Sequence, residues 1–481
     1  VSQLKRILIK DGSVFDPAQG WRGERRDLYL SGGRVSEPFR DPEVVIESGG
    51  RAVLAGGVDP HCHLVHPGQA LMRMFGALCG PEEIGKAYAS AGYVHVHHPF
   101  VTLVTAASAR RSLALVPYVD KSYGVALDLR DMGKAVRGND RSQFAAEARA
   151  LLHLTGAQGL FLPFPWLRHR QRHYIQKNIS PKKVLEFLSA LEDEELKPVA
   201  LWCRPGVLDN EIPRPDFFHF TALADSPSSD GLPGRASGLL EAGASADLVA
   251  ACEDDPLELS TGQTVSPGSI SIDIGLGEAL CFAVGGWRGE PRSSPAGEGT
   301  WRLLAAAGES WRISLCSSTP GRVVMGGLPR TCAWLVSREA RPQEVDELLG
   351  GRVVDLYEIA RLTRFEPARR LGLSDMGHLG VGARANVAIY DVRPGMPAGE
   401  LVTALSHCWC LIKDGVLVRE KGEFTGETPS VTIRFREIEA DVASLAGCDL
   451  LQNPTLRLEH LWRNGRWEAR AERRRHEHDG V

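Results

Sequence analysis

The sequence predicts an α/β protein: a (β/α)8 TIM-like barrel joined to a small composite β-sandwich that both termini build. Three observations carry this reading. Short apolar runs with the texture of buried strands recur through the middle of the chain, with helical or irregular stretches between them. The two ends share a β-turn-β pattern, and the first barrel run closes in a His-x-His pair. At 481 residues the chain is long enough for one large barrel and an accessory unit.

Within residues 1–56, Arg6-Ile-Leu-Ile-Lys-Asp-Gly-Ser-Val-Phe-Asp, Asp27-Leu-Tyr-Leu-Ser-Gly-Gly-Arg-Val and Val44-Val-Ile-Glu place apolar runs between Gly/Asp turns, the pattern of a small antiparallel unit. Ala385-Asn-Val-Ala-Ile-Tyr-Asp and Cys408-Trp-Cys-Leu-Ile-Lys-Asp-Gly-Val-Leu-Val repeat that texture, so residues 376–425 should complete the sandwich. The barrel then occupies 57–375. Its expected strands are the run into His63, then Gly92–Pro99, Ser112–Asp120, Gly159–Phe164, Pro198–Cys203, Phe217–Leu223, Ser269–Ile274 and Trp311–Ser317. Ala224–Ser237 and Gly285–Thr300, rich in Gly, Pro, Ser and charge, read as long loops over the barrel mouth or insertions. Residues 426–481 form an extension whose end, Arg470-Ala-Glu-Arg-Arg-Arg-His-Glu-His-Asp479, reads as a solvated tail.

Composition narrows the function. A net charge of −4 with 24% charged residues gives no whole-chain reason to expect nucleic acid or an anionic membrane as partner. No apolar run approaches the roughly 20 residues of a membrane span. Val1-Ser-Gln-Leu-Lys-Arg lacks a signal-peptide core, so the expected location is cytoplasmic. The 10 cysteines have no Cys-x-x-Cys spacing and read as reduced, buried thiols.

The chemistry concentrates in histidines. Arg51-Ala-Val-Leu-Ala-Gly-Gly-Val-Asp-Pro-His-Cys-His63 carries His61 and His63 at a strand end, where a period of two points both imidazoles the same way, as half of a zinc site does. Gly92-Tyr-Val-His-Val-His-His-Pro99 adds His95 and His97 on one strand face and His98 at its end, with His66 near the first pair in sequence. His61, His63, His97 and His98 are therefore the candidate ligands of a single metal. The plain alternative is a set of rim histidines facing solvent or satisfied in the core. His169 and His173 stand i, i+4, but Arg168, Arg170 and Arg172 around them disfavour a cation. Those arginines suit a carboxylate-bearing group or a solvated basic face.

Together these stretches resemble one branch of the amidohydrolase superfamily, the A-type subunits of formylmethanofuran dehydrogenase and of the bacterial formyltransferase/hydrolase complex. Ala55–His63 resembles the first strand of that barrel, Val119-Asp-Lys-Ser-Tyr-Gly the exit of the third, and Ile270-Ser-Ile-Asp-Ile-Gly-Leu-Gly the seventh. The helix Tyr357-Glu-Ile-Ala-Arg-Leu-Thr-Arg and the segment Ala333-Trp-Leu-Val-Ser-Arg narrow the resemblance to this branch. The resemblance implies two zinc ions held by the His-x-His pair, a carbamylated lysine on the fourth strand, histidines after the fifth and sixth, and an aspartate after the eighth. It also implies hydrolysis or formation of the formamide of an N-formyl carrier amine.

Position by position the chain departs from that set. His61 and His63 match. Gly159-Leu-Phe-Leu-Pro-Phe-Pro-Trp-Leu has no lysine, Lys177 being well beyond it. Ala200-Leu-Trp-Cys-Arg-Pro offers only Cys203, the sixth strand has His219 but Ala222 where the ligand belongs, and Ser317-Ser-Thr-Pro-Gly-Arg has no carboxylate. The expectation is a homologue of these A-type subunits, catalytically impaired, that is structural or carrier-binding beside the other subunits of a formyltransferase/hydrolase-like complex. The alternative is an active C–N hydrolase with a mononuclear zinc.

Overall fold

The computed structural model describes residues 5–65, 79–103, 105–127, 129–162, 180–191, 196–202, 212–223, 232–250, 269–273, 279–283, 298–308, 310–317, 325, 327–393 and 395–440. Eight parallel strands form the barrel: β1 Gly57–Asp59, β2 Tyr93–Val101, β3 Asp120–Ala126, β4 Leu160–Leu162, β5 Val199–Trp202, β6 Phe218–Leu223, β7 Ser245–Val249 and β8 Arg312–Cys316. They pair in chain order from β1 to β8. Helices such as Pro81–Ser90, Arg141–Thr155 and Pro181–Ser189 cross over between them. Such strands are covered on both faces, which is why they read as near-continuous apolar runs: Leu160, Phe161, Leu162, Val199 and Leu201 are all buried.

Among the described residues no backbone ladder joins β8 to β1. The seam is held by a side chain instead. Asp59, at the end of β1, accepts from the backbone N–H of Ser317 after β8 at 3.2 Å, from the Tyr88 hydroxyl at 2.8 Å and from the His61 N–H at 3.3 Å.

Two expected strands need correction. Ser112–Asp120 is the end of a helix, Ala106–Ala114, followed by a connection, and the third strand starts only at Asp120. Val119–Gly124 is thus the entry of β3, not its exit. The run misleads because Ala109, Leu113 and Val116 are buried at helical spacing of four and three residues. Ser269–Ile274 is not the seventh barrel strand either: Ser269–Asp273 pairs antiparallel with Ala279–Ala283 as a separate hairpin. The seventh strand, Ser245–Val249, lies in Ala-rich text with few β-branched residues, so its sequence looks helical. The segment Ala224–Ser237 also holds the start of a helix, Leu232–Glu241, and a helix begins at Glu298. Residues 224–231 and 284–297 lie outside the described set.

The termini meet in a nine-stranded mixed sheet. Its centre is Ala52–Ala55, parallel to Ile7–Asp16 on one side and antiparallel to Val387–Tyr390 on the other. Ile9, Val14, Val53, Val387, Ile389 and Ile412 form its dry core. Arg364, in a π-helical turn Arg361–Phe365, binds this sheet to the barrel by donating to Ala55 O and to the Tyr390 hydroxyl, which itself donates to Ala91 O.

Beneath the barrel the chain after the sheet makes a strap. Thr432 N–H donates to Asp120 Oδ1 at 2.8 Å, Lys121 N–H to Thr432 O, and Arg434 N–H to Lys121 O. Phe435 packs against Tyr123 and Arg110. Asp120 is the hub: fully buried, it also lies 2.7 Å from Arg384 and 3.0 Å from Lys413 of the terminal sheet.

Candidate functional site

In a barrel of parallel strands the chemistry belongs at the strands' C-terminal ends and the interior beneath them. The alternation of β1 carries through Pro60 to a turn in which His61 and His63 converge, their Nε2 atoms 3.0 Å apart. Cys62 between them points away: its N–H donates to His97 O at 2.9 Å and its thiol is fully buried, which pushes it well above the ordinary range.

On β2 the same alternation puts His95 and His97 on one face, and both reach a single hydroxyl on β3: His95 Nε2 and His97 Nδ1 each lie 2.8 Å from Ser122 Oγ. His98 turns the other way, accepting from Leu64 N–H at Nδ1, with its ring 6.0 Å from that of His63. Of the four expected ligands, His61 and His63 are thus brought into contact, His98 stands beside them, and His97 is engaged by Ser122. Among the described residues no three His, Cys, Asp or Glu side chains form a group that could hold a metal ion. His66, His169, His173, the three arginines around the latter, Lys177 and Cys203 lie outside the described residues.

Burial keeps His61, His95 and His97 neutral. It takes His61 down to about 4, against the pull of Asp247 and with the push of Arg370 and His219, and it takes His95 to about 3. His97 is held well below its ordinary value by burial and then by Arg370. Neutral imidazole is the ligating form, so His61 could supply a donor to a cation beside His63.

Three residues that the sequence alone does not bring together complete the interior. His219, on β6, lies 2.8 Å from Ser245 Oγ through Nδ1, and its Nε2 is 2.9 Å from Asp247 Oδ2 on β7, a close polar contact without hydrogen-bond alignment. Arg370, the last residue of helix Glu366–Arg370, enters from the floor: its Nη1 donates to Pro60 O at 2.8 Å and lies 3.4 Å from Asp247 Oδ2. Burial pushes the His219 imidazole down to about 4, and Arg370 adds to that. Burial alone would raise Asp247, but Arg370 and His219 outweigh it and hold the carboxyl below its usual range. A cavity of about 420 Å³ opens below, lined by His97, Gln158, Lys197, Arg370, Phe435 and Arg436.

Among the described residues this interior does not fit a bridged two-metal centre. β4 presents Leu160, Phe161 and Leu162, with no amine to carbamylate; β8 runs out through Cys316 to Ser317, whose hydroxyl faces Tyr88; and a guanidinium stands among the imidazoles. Asp247 was missed because its strand was missed. Arg370 was legible only as one of two basic residues in a helix's last turn, where Arg369 takes the outward side and pairs with Glu366 at 2.9 Å.

The sequence pattern of the amidohydrolase family (Amidohydro_3) matches residues 322–419. The chain is similar to protein FwdA of Methanocaldococcus jannaschii, 23% identical with 89% of this chain and 91% of that one covered. It is similar to the A-type subunit of the formyltransferase/hydrolase complex Fhc of Methylorubrum extorquens, 26% identical with 90% and 91% covered. The fold matches a chain in the crystal structure of the M. extorquens FhcABCD complex with methylofuran at a TM-score of 0.79, with 21% identity and 95% and 96% coverage. It also matches a D-aminoacylase at 0.58, with 14% identity, 90% of this chain and 100% of that one.

Proposed function

The chain belongs to the amidohydrolase family, on the branch of the A-type subunits of formylmethanofuran dehydrogenase and of the formyltransferase/hydrolase complex, and on that premise we propose that it serves as a catalytically impaired component of such a complex. Its role is structural or carrier-binding: it offers the barrel mouth to an N-formyl carrier amine and its surface to partner subunits. The observation that carries this reading is the combination of a fold matched over nearly the whole chain with an interior that holds Arg370 and Asp247 but no amine on β4 and no carboxylate at Ser317. Without a bridged metal pair to activate water, hydrolysis of a formamide loses its nucleophile.

Co-expression with the other subunits of such a complex tests this. The chain is expected to co-elute with them in size exclusion, to release no formate from an N-formyl carrier amine, and to assemble unchanged as His61→Ala. A chain that elutes alone under those conditions contradicts the proposal.

The 3.0 Å approach of the His61 and His63 imidazoles favours a second reading, a C–N hydrolase with one zinc on His61, His63 and a β2 histidine, His97 or His98. Elemental analysis distinguishes them. Near one zinc per chain, lost on His61→Ala together with formate release, establishes the second reading; formate release at the wild-type rate from His61→Ala rejects it.

A further inference from the structure

The lower part of the barrel interior is hollow where such barrels are filled. Inward positions of a (β/α)8 barrel carry mostly bulky branched side chains stacked in layers. Ser122 of β3 faces the interior, since it reaches His95 and His97, and alternation puts Gly124 on the same side. A Cβ at Gly124 would come within 2.4 Å of Pro99 O, so the approach of β2 leaves no room for a side chain there. Ala200 of β5 is paired with Phe161 of β4 and packs on it beside Ala126, and Gly159 lies two residues before Phe161 on the same side. Small residues at three neighbouring strands thus leave the cavity of about 420 Å³, a volume in the range of small-molecule sites.

The cavity opens on the face away from the His-x-His turn. Gly159 and Pro198 stand just before β4 and β5, the helix Glu366–Arg370 ends at it, and the strap closes one side with Phe435. Among the described lining residues four side chains are cationic, Lys197, Arg369, Arg370 and Arg436, and one is a carboxylate, Glu437. Arg369 also pairs with Glu366 at 2.9 Å, and Arg370 lies 3.4 Å from Asp247. Arg436 is fixed at the rim, its Nη1 donating to Gln158 O at 2.9 Å and its backbone N–H to Gly156 O. Lys197, with its ammonium 5.8 Å from the centre of the Phe217 ring, is half-buried at the entry to β5. A concave space in which cations outnumber carboxylates attracts a negative guest. Guanidinium forks match the paired oxygens of carboxylate and phosphate.

We propose that this basal cavity is an anion site, separate from the barrel mouth, that takes a small carboxylate or phosphate between Lys197, Arg370 and Arg436. These cations come from the entry to β5, the floor helix and the strap, so a bound anion links three elements by charge. The two oxyanion classes share this chemistry, and the size of the cavity admits either. The inference does not depend on partner subunits: its failure leaves the proposed place in a complex standing, and the reverse.

Equilibrium dialysis of the full chain against labelled inorganic phosphate and, separately, labelled succinate, at constant ionic strength in sodium chloride, tests this. Wild type should bind about one equivalent of at least one of them with a Kd of about 1 mM or tighter. Binding of phosphate alone identifies a phosphate-bearing guest, and binding of succinate alone a carboxylate-bearing one. Lys197→Met and Arg436→Met should each weaken binding about tenfold or more, the scale of one charge-assisted hydrogen bond. Gly159→Leu keeps every charge but should abolish binding: its Cβ meets Pro198 O at an ordinary 3.7 Å, and the rest of the side chain occupies the cavity. His61→Ala should bind as wild type does. The proposal is overturned if neither anion binds at about 10 mM, if Gly159→Leu binds as wild type does, or if His61→Ala loses binding. Should Gly159→Leu not fold, Lys197→Met/Arg436→Met decides: lost binding supports the site, and wild-type affinity overturns it.

Discussion

Asp59 shows how one side chain does what a strand ladder does elsewhere in the barrel. Its carboxylate gathers the N–H groups of His61 and Ser317 and the Tyr88 hydroxyl, so the β8–β1 seam and the base of the His-x-His turn share one anchor. Burial raises this carboxyl to about 6, and the hydrogen bonds from Ser317 and Tyr88 work against that rise. Tyr88→Phe leaves Oδ2 without its donor in a buried place and is expected to destabilise the fold by about 1–3 kcal/mol. Urea denaturation measures this, and an unchanged midpoint would mean that the seam does not rest on the hydroxyl. At this scale the sequence made the imidazoles legible but not their partners. Nothing in Ser122 foretells a hydroxyl shared by His95 and His97, because the contact is set by the β2–β3 register.

The junctions between elements are where backbone and charge leave least room. Gly92, between helix Pro81–Ser90 and β2, has φ +79, and a Cβ there would run into the Tyr390 hydroxyl of the terminal sheet. Gly92→Ala is expected to cost about 1–3 kcal/mol from the left-handed backbone and the lost fit; a melting temperature equal to wild type would contradict this. Asp120 joins three elements through Arg384, Lys413 and the Thr432 N–H. Asp120→Asn leaves Arg384 and Lys413 with Asp414 as their remaining carboxylate and is expected to cost about 1–3 kcal/mol. Burial pushes the Asp120 carboxyl up, but Lys413, Arg384 and His95 outweigh it and hold the group below its ordinary value. A depressed carboxyl binds fewer protons folded than unfolded, so its contribution is complete above about pH 4. It fades as the pH falls through the folded value. Acid titration of stability should therefore be shallower in Asp120→Asn than in wild type, and equal slopes would reject the assignment.

At the scale of the whole molecule, the barrel and its paired terminal sheet are joined by buried charge and backbone contacts, with Asp120 tied to Arg384, Lys413 and the Thr432 N–H. The expected outcome is a chain that stays folded and assembly-competent through chelation; dissociation of its complex by EDTA, followed by size exclusion, would contradict this. The sequence by itself determined the fold class and six of the eight barrel strands. Apolar periodicity, the Gly/Asp turns of both termini and the His-x-His strand end are local signals, and local signals survive in one dimension. It also determined that β4 has no lysine and that the turn after β8 has no carboxylate, since a residue type absent from a segment cannot be created by folding. The tertiary structure alone decided which charges meet. Asp247 and Arg370 lie 123 positions apart in the numbering, one in Ala-rich text that resembles a helix and the other in a basic pair that looks solvated. Only the closing of the barrel over its floor helix brings them within 3.4 Å, where the buried carboxylate faces a positive charge.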